Sequence, residues 1–312
     1  MKDTIHVGHL STLYHTNFIL MEDETISKDL NRKIQWVLFG TGPAMVNAFE
    51  NGELDIGYMG LPPAIIGINR GVPIKCVAGG HIEGTILVAK EEYRPLSELN
   101  GNLAETLAQF KGKSIGVPSK GSIHEVILTH FLKKFDLIGD IRVIDYAQPE
   151  FIAIDMRKRI LDAGVGTPAL AVFAQSLFPS QIIIPASSLW PYNPSYGIFF
   201  HNNYIKNYPE IIFEFLKHHK RASELLRTSQ STAADKISQT FGILTKSYVE
   251  SVLRISPRYC IALTEDYINT TMQFVGKLFE LGYIDKKLKI SDIFESKYVD
   301  QIHPEASHYT NP

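Results

Sequence analysis

The chain repeats one local pattern four times: a short apolar strand, a turn rich in glycine, proline and hydroxyl residues, and then a helix. Proline suits the first turn of a helix, and glycine allows a tight turn or a close approach by another group. The turns are Gly40-Thr41-Gly42-Pro43, Gly60-Leu61-Pro62-Pro63, Ser119-Lys120-Gly121-Ser122 and Gly166-Thr167-Pro168. Strands that alternate with helices in this way predict an α/β fold with mixed, mainly parallel sheets.

These turns also predict where an anion can bind. In an open α/β sheet the carboxyl ends of parallel strands share one edge, and helices that start there present unpaired N–H groups and a partial positive charge. Taken singly, each turn is explained as an ordinary strand-to-helix connection, whereas four in one chain considerably strengthen the alternative that they bind a ligand. The residues predicted to contact a ligand at this edge are Thr41, Gly42, Gly60, Leu61, Gly121, Ser122 and Thr167.

The composition excludes several function classes. The 312 residues include 31 Lys and Arg against 33 Asp and Glu, without the basic stripe that a nucleic-acid backbone requires. No apolar run is long enough to span a membrane, and the length is typical of about two domains. Cys76 and Cys260 form neither a disulfide framework nor a metal-ligand spacing. The start of the chain lacks an export signal, which we expect to have been removed.

The last third of the chain is predicted to be helical. Apolar residues recur at helical spacing over 208–227, 246–255 and 264–283, which indicates packing helices. The pair His218-His219 is expected on an exposed helical face. The polar tail 303–312 is expected to be loosely ordered.

Motifs for catalysis and cofactor binding are not found. Gly40-Thr41-Gly42 begins like a dinucleotide fingerprint, but Met45 stands at the third glycine position. Gly112-Lys113-Ser114 ends like a phosphate loop, yet Leu107 stands where the earlier glycine is required. The sequence also lacks H-E-x-x-H, C-x-x-C and G-x-S-x-G motifs. No catalytic residue, metal ligand or cofactor is therefore predicted.

The chain resembles a known family. The stretch from Gly40-Thr41-Gly42-Pro43 through Gly52-Glu53-Leu54-Asp55-Ile56-Gly57 to Gly71-Val72-Pro73-Ile74-Lys75 is similar to the core of the nitrate/sulfonate/taurine-type solute-binding proteins of ABC importers. Phe110-Lys111-Gly112-Lys113 resembles that family's entry into its second lobe, and Leu278 to Ile284 resembles the close of its last long helix. The resemblance covers residues 4 to about 300.

The resemblance implies a two-lobe periplasmic binding protein fold of type II, in which a hinge closes the lobes over a ligand in the cleft. Lobe I is then expected to comprise 1–89 and 198–312, and lobe II to comprise 90–197. The hinge strands are expected at about 84–90 and 196–201.

The resemblance also places side chains of the first lobe near the ligand. After the first strand, Ser11 or Thr12 is expected to cap a helix whose first turn carries Tyr14 and His15. The stretch from Gly79 to Thr85 is expected to be a loop at the cleft. There, His81 and Glu83 either share a proton over a polar ligand or are solvated loop residues.

The second lobe is expected to contribute Lys120, a cation beside a helix N-terminus that favours a carboxylate, sulfonate or nitrate, and His124 on the first helical turn. Trp190 and Tyr192 belong to an aromatic stretch that covers the body of a ligand or packs between the lobes. Gly166-Thr167-Pro168 departs from the family, which has a W-E-P stretch at that place. The carboxylate that would hold a taurine-like amine is therefore missing.

These observations lead to one hypothesis and two alternatives. The leading hypothesis is a monomeric receptor outside the cytoplasm that captures a small anion and delivers it to the transmembrane subunit of an ABC permease. The first alternative is a receptor for a pyrimidine or other heterocycle, stacked by Tyr14 and Trp190. The second is a cytoplasmic lyase or isomerase on the same fold, as in menaquinone-pathway proteins, with His15, His81 or Glu83 as acid or base.

Overall fold

A computed structural model describes residues 3–309. The strands are β1 Thr4–Leu10, β2 Lys33–Phe39, β3 Ile56–Met59, β4 Ile74–Ile82, β5 Ile86–Lys90, β6 Ser114–Pro118, β7 Arg142–Tyr146, β8 Ala163–Gly166, β9 Ser180–Ile184 and β10 Pro194–His201. The helices are α1 Asn17–Leu20, α2 Glu24–Asp29, α3 Gly42–Glu50, α4 Leu61–Asn69, α5 Leu103–Ala108, α6 Ile123–Lys134, α7 Glu150–Arg157, α8 Pro168–Leu177, α9 Asn202–Asn207, α10 Pro209–Thr228, α11 Gln230–Phe241, α12 Lys246–Ile255, α13 Glu265–Glu280, α14 Ile290–Ile293 and α15 Lys297–Ile302, with a 3₁₀ turn at Leu96–Leu99. Among residues 3–309, no helix combines the length and the apolar composition needed to cross a membrane.

The first compact unit consists of the chain up to Ile82 and from Asn193 onward. Its sheet has the strand order β2-β1-β3-β10-β4. Strand β1 runs parallel to β2 and β3, whereas β10 runs antiparallel to both β3 and β4. The returning chain therefore completes a sheet that the first 82 residues begin, and the carboxyl ends of β1, β3 and β4 share one edge with the start of β10.

The second compact unit is Glu83–Tyr192. Its sheet has the order β7-β6-β8-β5-β9, in which β6 is parallel to β7 and β8 while β5 is antiparallel to β8 and β9. The α/β class with mixed sheets is thus confirmed. The lobe boundaries at 89/90 and 197/198 and the two hinge strands stay a prediction; β5 lies in the sheet of the second unit and β10 in that of the first.

Each of the four predicted turns leads into a helix. Helices α3, α4, α6 and α8 follow β2, β3, β6 and β8 directly. Thr41 caps α3 by accepting a hydrogen bond from the N–H of Ala44, and Ser122 caps α6 by accepting one from the N–H of Glu125. Gly42 is required by packing, because a Cβ there would lie 2.7 Å from Cγ of Pro63 on the neighbouring helix.

The helix predicted directly after β1 starts later than expected. Residues 11–16 form turns, closed by the N–H of His15 donating to the carbonyl oxygen of Thr12, and α1 begins only at Asn17. Ser11 and Thr12 therefore do not cap it. Thr16 stands at the cap position without a side-chain capping bond. Its hydroxyl oxygen lies instead 2.8 Å from Nδ1 of His219, a tertiary contact that the local sequence does not reveal.

The loop predicted from Gly79 to Thr85 is mostly strand, because β4 continues to Ile82. The N–H of Gly79 donates to the carbonyl oxygen of Ile261 at 2.8 Å, and the N–H of Ile82 donates to that of Arg258. The segment after α12 thus pairs with the end of β4 and extends it.

The helical last third is confirmed, but two details of the prediction are wrong. His218 and His219 are fully buried, because both face the core side of α10. The tail is anchored at Tyr309, which is also fully buried and whose hydroxyl donates to the carbonyl oxygen of Ala262, although residues 304–306 are exposed. Residues 310–312, on which part of this expectation falls, lie outside the described residues.

Gly80 offers a test of the packing at the end of β4. A Cβ at this position would overlap Cε2 and Cζ of the buried Tyr196 ring. We expect Gly80→Ala to lower the free energy of unfolding by at least about 2 kcal/mol, because a packed ring has no room to shift. At Gly276, in the middle of α13, a Cβ would instead meet no atom within 4 Å.

Gly276→Ala is therefore the matched control, and it should raise the free energy of unfolding by about 0.5–1 kcal/mol through helix propensity. Urea unfolding of both variants measures the two effects. Equal stability of the two variants would contradict the described packing of Tyr196 over Gly80.

Candidate functional site

Buried tyrosines and histidines gather at one edge of the first unit's sheet, which we call the aromatic–histidine cluster. Tyr14 and His15 follow β1, Tyr58 lies in β3, and His81 lies near the end of β4. Each side chain in the cluster is at most 3% exposed. The members are Tyr14, His15, Tyr58, His81, Tyr196, His219 and Tyr259.

The rings of the cluster touch one another. The Tyr14 ring centroid lies 4.7 Å from that of His81, and His81 lies 4.8 Å from Tyr259. On the other side, the rings of His15 and Tyr196 are 3.9 Å apart and inclined by 34°. The first unit therefore brings the predicted site residues Tyr14, His15 and His81 together, although they come from separate parts of the chain.

Hydrogen bonds determine the protonation of His81. Its Nε2 lies 2.5 Å from the carbonyl oxygen of Ser256, which can only accept, so Nε2 carries the proton. Its Nδ1 then accepts from the hydroxyl of Ser195 at 2.9 Å. Burial lowers the pKa of His81 to about 3, against the raising effect of the Ser256 carbonyl. The ring is therefore neutral at pH 7 and is a poor candidate for a general base.

Hydrogen bonds also fix the tautomer of His219. Its Nε2 donates to the carbonyl oxygen of Gly79 at 2.8 Å, and its Nδ1 accepts from the Thr16 hydroxyl. The Tyr196 hydroxyl in turn donates to the Thr16 hydroxyl oxygen at 3.4 Å. Burial lowers the pKa of His219 to about 4. This chain of bonds connects α10, β4 and β10 through neutral groups.

The cluster combines packed aromatic rings with neutral hydroxyls. Burial raises the pKa of Tyr14, Tyr58, Tyr196 and Tyr259 above the ordinary value, so these hydroxyls keep their protons at any physiological pH. Within residues 3–309, the Tyr259 hydroxyl has no hydrogen-bond partner. Neutral rings and hydroxyls suit a planar group in general, but here they contact one another and are at most 3% exposed.

Helix N-termini lie at the same sheet edge. Thr41 and Gly42 open α3, and Gly60 and Leu61 open α4, each directly after a strand. The first N–H groups of a helix have no acceptor within the helix. Pro62 and Pro63 carry no N–H, so α4 has fewer such donors than an ordinary helix start.

In the second unit, the turn before α6 is occupied by its own carboxylate. The N–H of Gly121 donates to Oε2 of Glu125 at 3.0 Å, and the N–H of Ser122 donates to the carbonyl oxygen of Ser119. The Glu125 side chain is buried and also accepts from the Thr129 hydroxyl. Two N–H groups predicted to contact ligand are thus already paired.

Charges around this turn partly offset one another. Burial raises the pKa of Asp145, and the negative charge of Glu125 raises it further, whereas the charge of Lys120 lowers it. The Lys120 side chain is exposed. His124 is buried, lies 3.0 Å through Nδ1 from the Thr85 hydroxyl, and has a pKa lowered to about 4 by burial. Lys120 is therefore the cation, and His124 is neutral.

Three of the remaining predicted residues of the second unit lie near its two chain ends. Glu83, Trp190 and Tyr192 adopt left-handed backbone conformations, with φ of 58°, 67° and 60°. Such conformations cost about 1 kcal/mol each for non-glycine residues and are frequent at ligand sites. Oε1 of Glu83 accepts from the N–H of Tyr192 at 2.8 Å, so this carboxylate holds the aromatic stretch in place. Thr167 caps α8 without a side-chain hydrogen bond.

Sequence reasoning missed several members of these groups. Tyr58, Tyr259, His219 and Glu125 were not among the predicted site residues. A signal for His219 was present, because Ile212, Phe215 and Leu216 place it on the apolar face of α10. Tyr259 had no such signal, since only its pairing with the end of β4 brings it to His81.

Comparisons with known proteins agree with this architecture. The model of a family described as NMT1-like matches residues 1–242. The chain is 24% identical over 279 residues to the "Putative aliphatic sulfonates-binding protein" of Bacillus subtilis (strain 168), which covers 88% of this chain and 80% of that protein. It is 23% identical to the taurine-binding periplasmic protein of Escherichia coli (strain K12), over 64% of this chain and 59% of that protein.

Among solved structures, the alkanesulfonate-binding protein SsuA from Xanthomonas axonopodis pv. citri bound to MOPS superimposes with a TM-score of 0.78. The match covers 94% of this chain and 98% of that chain at 16% identity, so it shows the fold alone. The predicted periplasmic binding protein-like architecture is thereby confirmed.

The buried histidines predict how stability depends on pH. An unfolded histidine has a pKa near 6.5, whereas folded His219 titrates near 4, so the unfolded state binds more protons between these values. Stability therefore falls as the pH drops below about 6.5, by up to about 1.4 kcal/mol per pH unit for this group. His219→Gln removes this pH-dependent contribution to the free energy of unfolding.

We expect His219→Gln to be less stable than the wild type by a constant amount above pH 7. The difference should shrink by about 1.4 kcal/mol per pH unit between about pH 6 and 4.5, because only the wild type loses this stability. Urea unfolding at a series of pH values measures it. A difference that stays constant down to pH 4.5 would show that His219 is not held neutral.

Proposed function

The chain belongs to the NMT1-like family, and from this premise we propose that it is the solute-binding receptor of an ABC importer. Relatives that match the chain along most of its length carry names of sulfonate- and taurine-binding proteins. The proposed ligand is a small anion, such as a sulfonate, nitrate or a related organic acid. That the ligand is enclosed between two lobes stays a prediction of the resemblance.

The observation that carries the proposal is the placement of four helix N-termini directly after strands, two in each unit. N–H groups and the helix dipole can hold an oxyanion without net positive charge on the protein, which agrees with a formal charge of −2. In the first unit these groups are the N–H groups of Gly42 and Gly60. In the second the N–H group is that of Thr167, with Lys120 as the local cation, because the N–H of Ser122 already donates to the carbonyl oxygen of Ser119.

A second candidate is a receptor for a heterocyclic metabolite. The aromatic–histidine cluster favours it, because neutral imidazoles and tyrosine faces suit a flat ring better than a small inorganic anion. The buried carboxylate of Glu125 beside the α6 N-terminus points the same way, since it repels an anion and accepts from a ring N–H. An enzyme on this fold is less well supported, because His81 is neutral and both of its ring nitrogens are bonded.

The receptor proposal implies one macromolecular partner, the transmembrane subunit of an ABC permease. It also implies that the protein works outside the cytoplasm and as a monomer. The name of the taurine-binding relative includes the word periplasmic, which supports the location.

Calorimetry of the full chain against a ligand panel tests the proposal. The panel contains nitrate, alkanesulfonates, taurine, bicarbonate and pyrimidine precursors. We expect one of the anions to bind with a Kd of about 1 µM or lower. Binding of a pyrimidine alone would support the second candidate. If no member of the panel bound, the result would contradict both candidates.

Substitution of Glu125 separates the two candidates. For an anion, Glu125→Gln should raise the affinity about tenfold, because a negative charge at a helix N-terminus is removed. For a heterocycle that donates to this carboxylate, the same change should lower the affinity. Glu105→Gln is the control, since Glu105 is an exposed carboxylate in the first turn of α5, and it should leave the affinity unchanged.

A further inference from the structure

A second group of reactive side chains lies in the first unit and shares no member with the aromatic–histidine cluster. Cys260 follows α12, and His303 and His308 follow α15. Sγ of Cys260 lies 3.3 Å from Nε2 of His303 and 3.8 Å from Nδ1 of His308. The two ring nitrogens are 3.3 Å apart. Three atoms that can each ligate a metal ion therefore form a compact triangle.

The edges of this triangle match a tetrahedral metal centre. Zn(II) binds sulfur at about 2.3 Å and nitrogen at about 2.0–2.1 Å, which places S and N ligands about 3.6 Å apart and two N ligands about 3.4 Å apart. The observed S–N distances of 3.3 and 3.8 Å average to nearly that value, and the N–N distance of 3.3 Å agrees with it. One ion can thus reach all three atoms with little movement.

Protons alone do not satisfy the three contacts. Each ring nitrogen carries either one proton or one in-plane lone pair, so at most two of the three contacts can be good hydrogen bonds. A metal ion accepts the lone pairs of all three atoms at once. The N–H groups of Ala262 and His308 also point at Sγ of Cys260, at 3.5 and 3.4 Å, and such donors stabilise a thiolate.

The surroundings fit a small, mostly closed site. Cys260 is 2% exposed and His303 is 7% exposed, and a cavity of about 10 Å³ lies beside them. Oε1 of Glu305 lies 3.7 Å from Nε2 of His303 and is paired with the amino group of Lys220. A water molecule or this carboxylate can therefore complete a fourth position.

We propose that Cys260, His303 and His308 bind one Zn(II) ion. The ion cross-links the segment from His303 to Tyr309 to the segment that pairs with β4. Tyr259, the residue before Cys260, contacts the His81 ring, so the bound ion also stabilises the position of Tyr259 in the aromatic–histidine cluster. Its role is structural, because the ligands come from distant segments and their joining restricts the unfolded chain.

A second group of possible ligands, Asp29, Glu214 and His218, is a weaker candidate. Nη2 of Arg221 lies 2.8 Å from Nδ1 of His218, which places a permanent positive charge against the site. Both nitrogens of His218 already bond to carboxylates, those of Asp23 and Asp29. Binding there would also involve no sulfur, which makes the two sites distinguishable by spectroscopy.

Cobalt substitution of the full chain tests the proposal. After treatment with a chelator, the protein is titrated with Co(II) and then with Zn(II). We expect one equivalent of Co(II) to give a thiolate-to-cobalt charge-transfer band together with the intense visible bands of a tetrahedral site, and Zn(II) to displace it. Saturating Zn(II), at about a hundredfold excess over Kd, should raise Tm by about 5 °C.

Variants assign the ligands. Cys260→Ser should remove the charge-transfer band. His308→Gln should weaken Zn(II) binding by at least about 100-fold, because loss of a residue that only orients a metal ligand already costs about 10–100-fold. His308 is partly exposed, so its replacement keeps the test valid even where Cys260→Ser fails to fold. Cys76→Ser is the matched control and should retain the band, since the buried Cys76 thiol bonds to the carbonyl oxygen of Ala78.

A wild-type protein that shows no sulfur band with Co(II) would overturn the proposal. So would a band or a Zn(II) affinity that persists in Cys260→Ser or stays unchanged in His308→Gln. These outcomes are independent of whether the panel of anions and heterocycles binds.

Discussion

The insertion of β10 between β3 and β4 is the constraint on which the first unit depends. Residues that follow position 192 pair with strands from the first 82 residues, so the sheet cannot form until the chain has returned. Tyr196, near the start of β10, contacts His15 and Tyr58 and bonds to Thr16. The same strand therefore closes the sheet and brings the candidate site together.

Burial gives that site its chemical character. Histidines and tyrosines in the aromatic–histidine cluster are far from water, and desolvation disfavours their charged forms. Their hydrogen bonds run to backbone carbonyls and hydroxyls, which stabilise neutral rings in one tautomer. The cluster therefore offers shape and directed neutral donors and no charges. It has little capacity for proton transfer at pH 7, which favours binding over catalysis.

The sequence predicted what local chemistry controls and missed what distant contacts control. The turns before α3, α4, α6 and α8 were predictable, because glycine, proline and hydroxyl residues act within a few positions of themselves. The late start of α1 was not, because Thr16 bonds to His219, which lies 203 residues away. The end of β4 was misassigned for the same reason, since its partner is the segment after α12. For the candidate site, Tyr14, His15 and His81 could be named from position and resemblance, whereas Tyr259 and Glu125 required the folded arrangement.

The same argument explains why the cysteine–histidine group carries no sequence signal. Metal motifs are recognised when ligands lie a few residues apart, and here Cys260 precedes His303 by 43 residues. A short loop between ligands would stabilise little, because little entropy is removed from the unfolded chain, whereas a longer loop removes more. Cys260, His303 and His308 lie on two segments whose relative position a metal cross-link would stabilise. The segment 256–264 pairs with the edge of β4, and the chain after α15 packs over it through Tyr309. Cross-linking these two segments at Cys260 therefore stabilises the position of Tyr259 against His81 without placing any charge in the aromatic–histidine cluster itself.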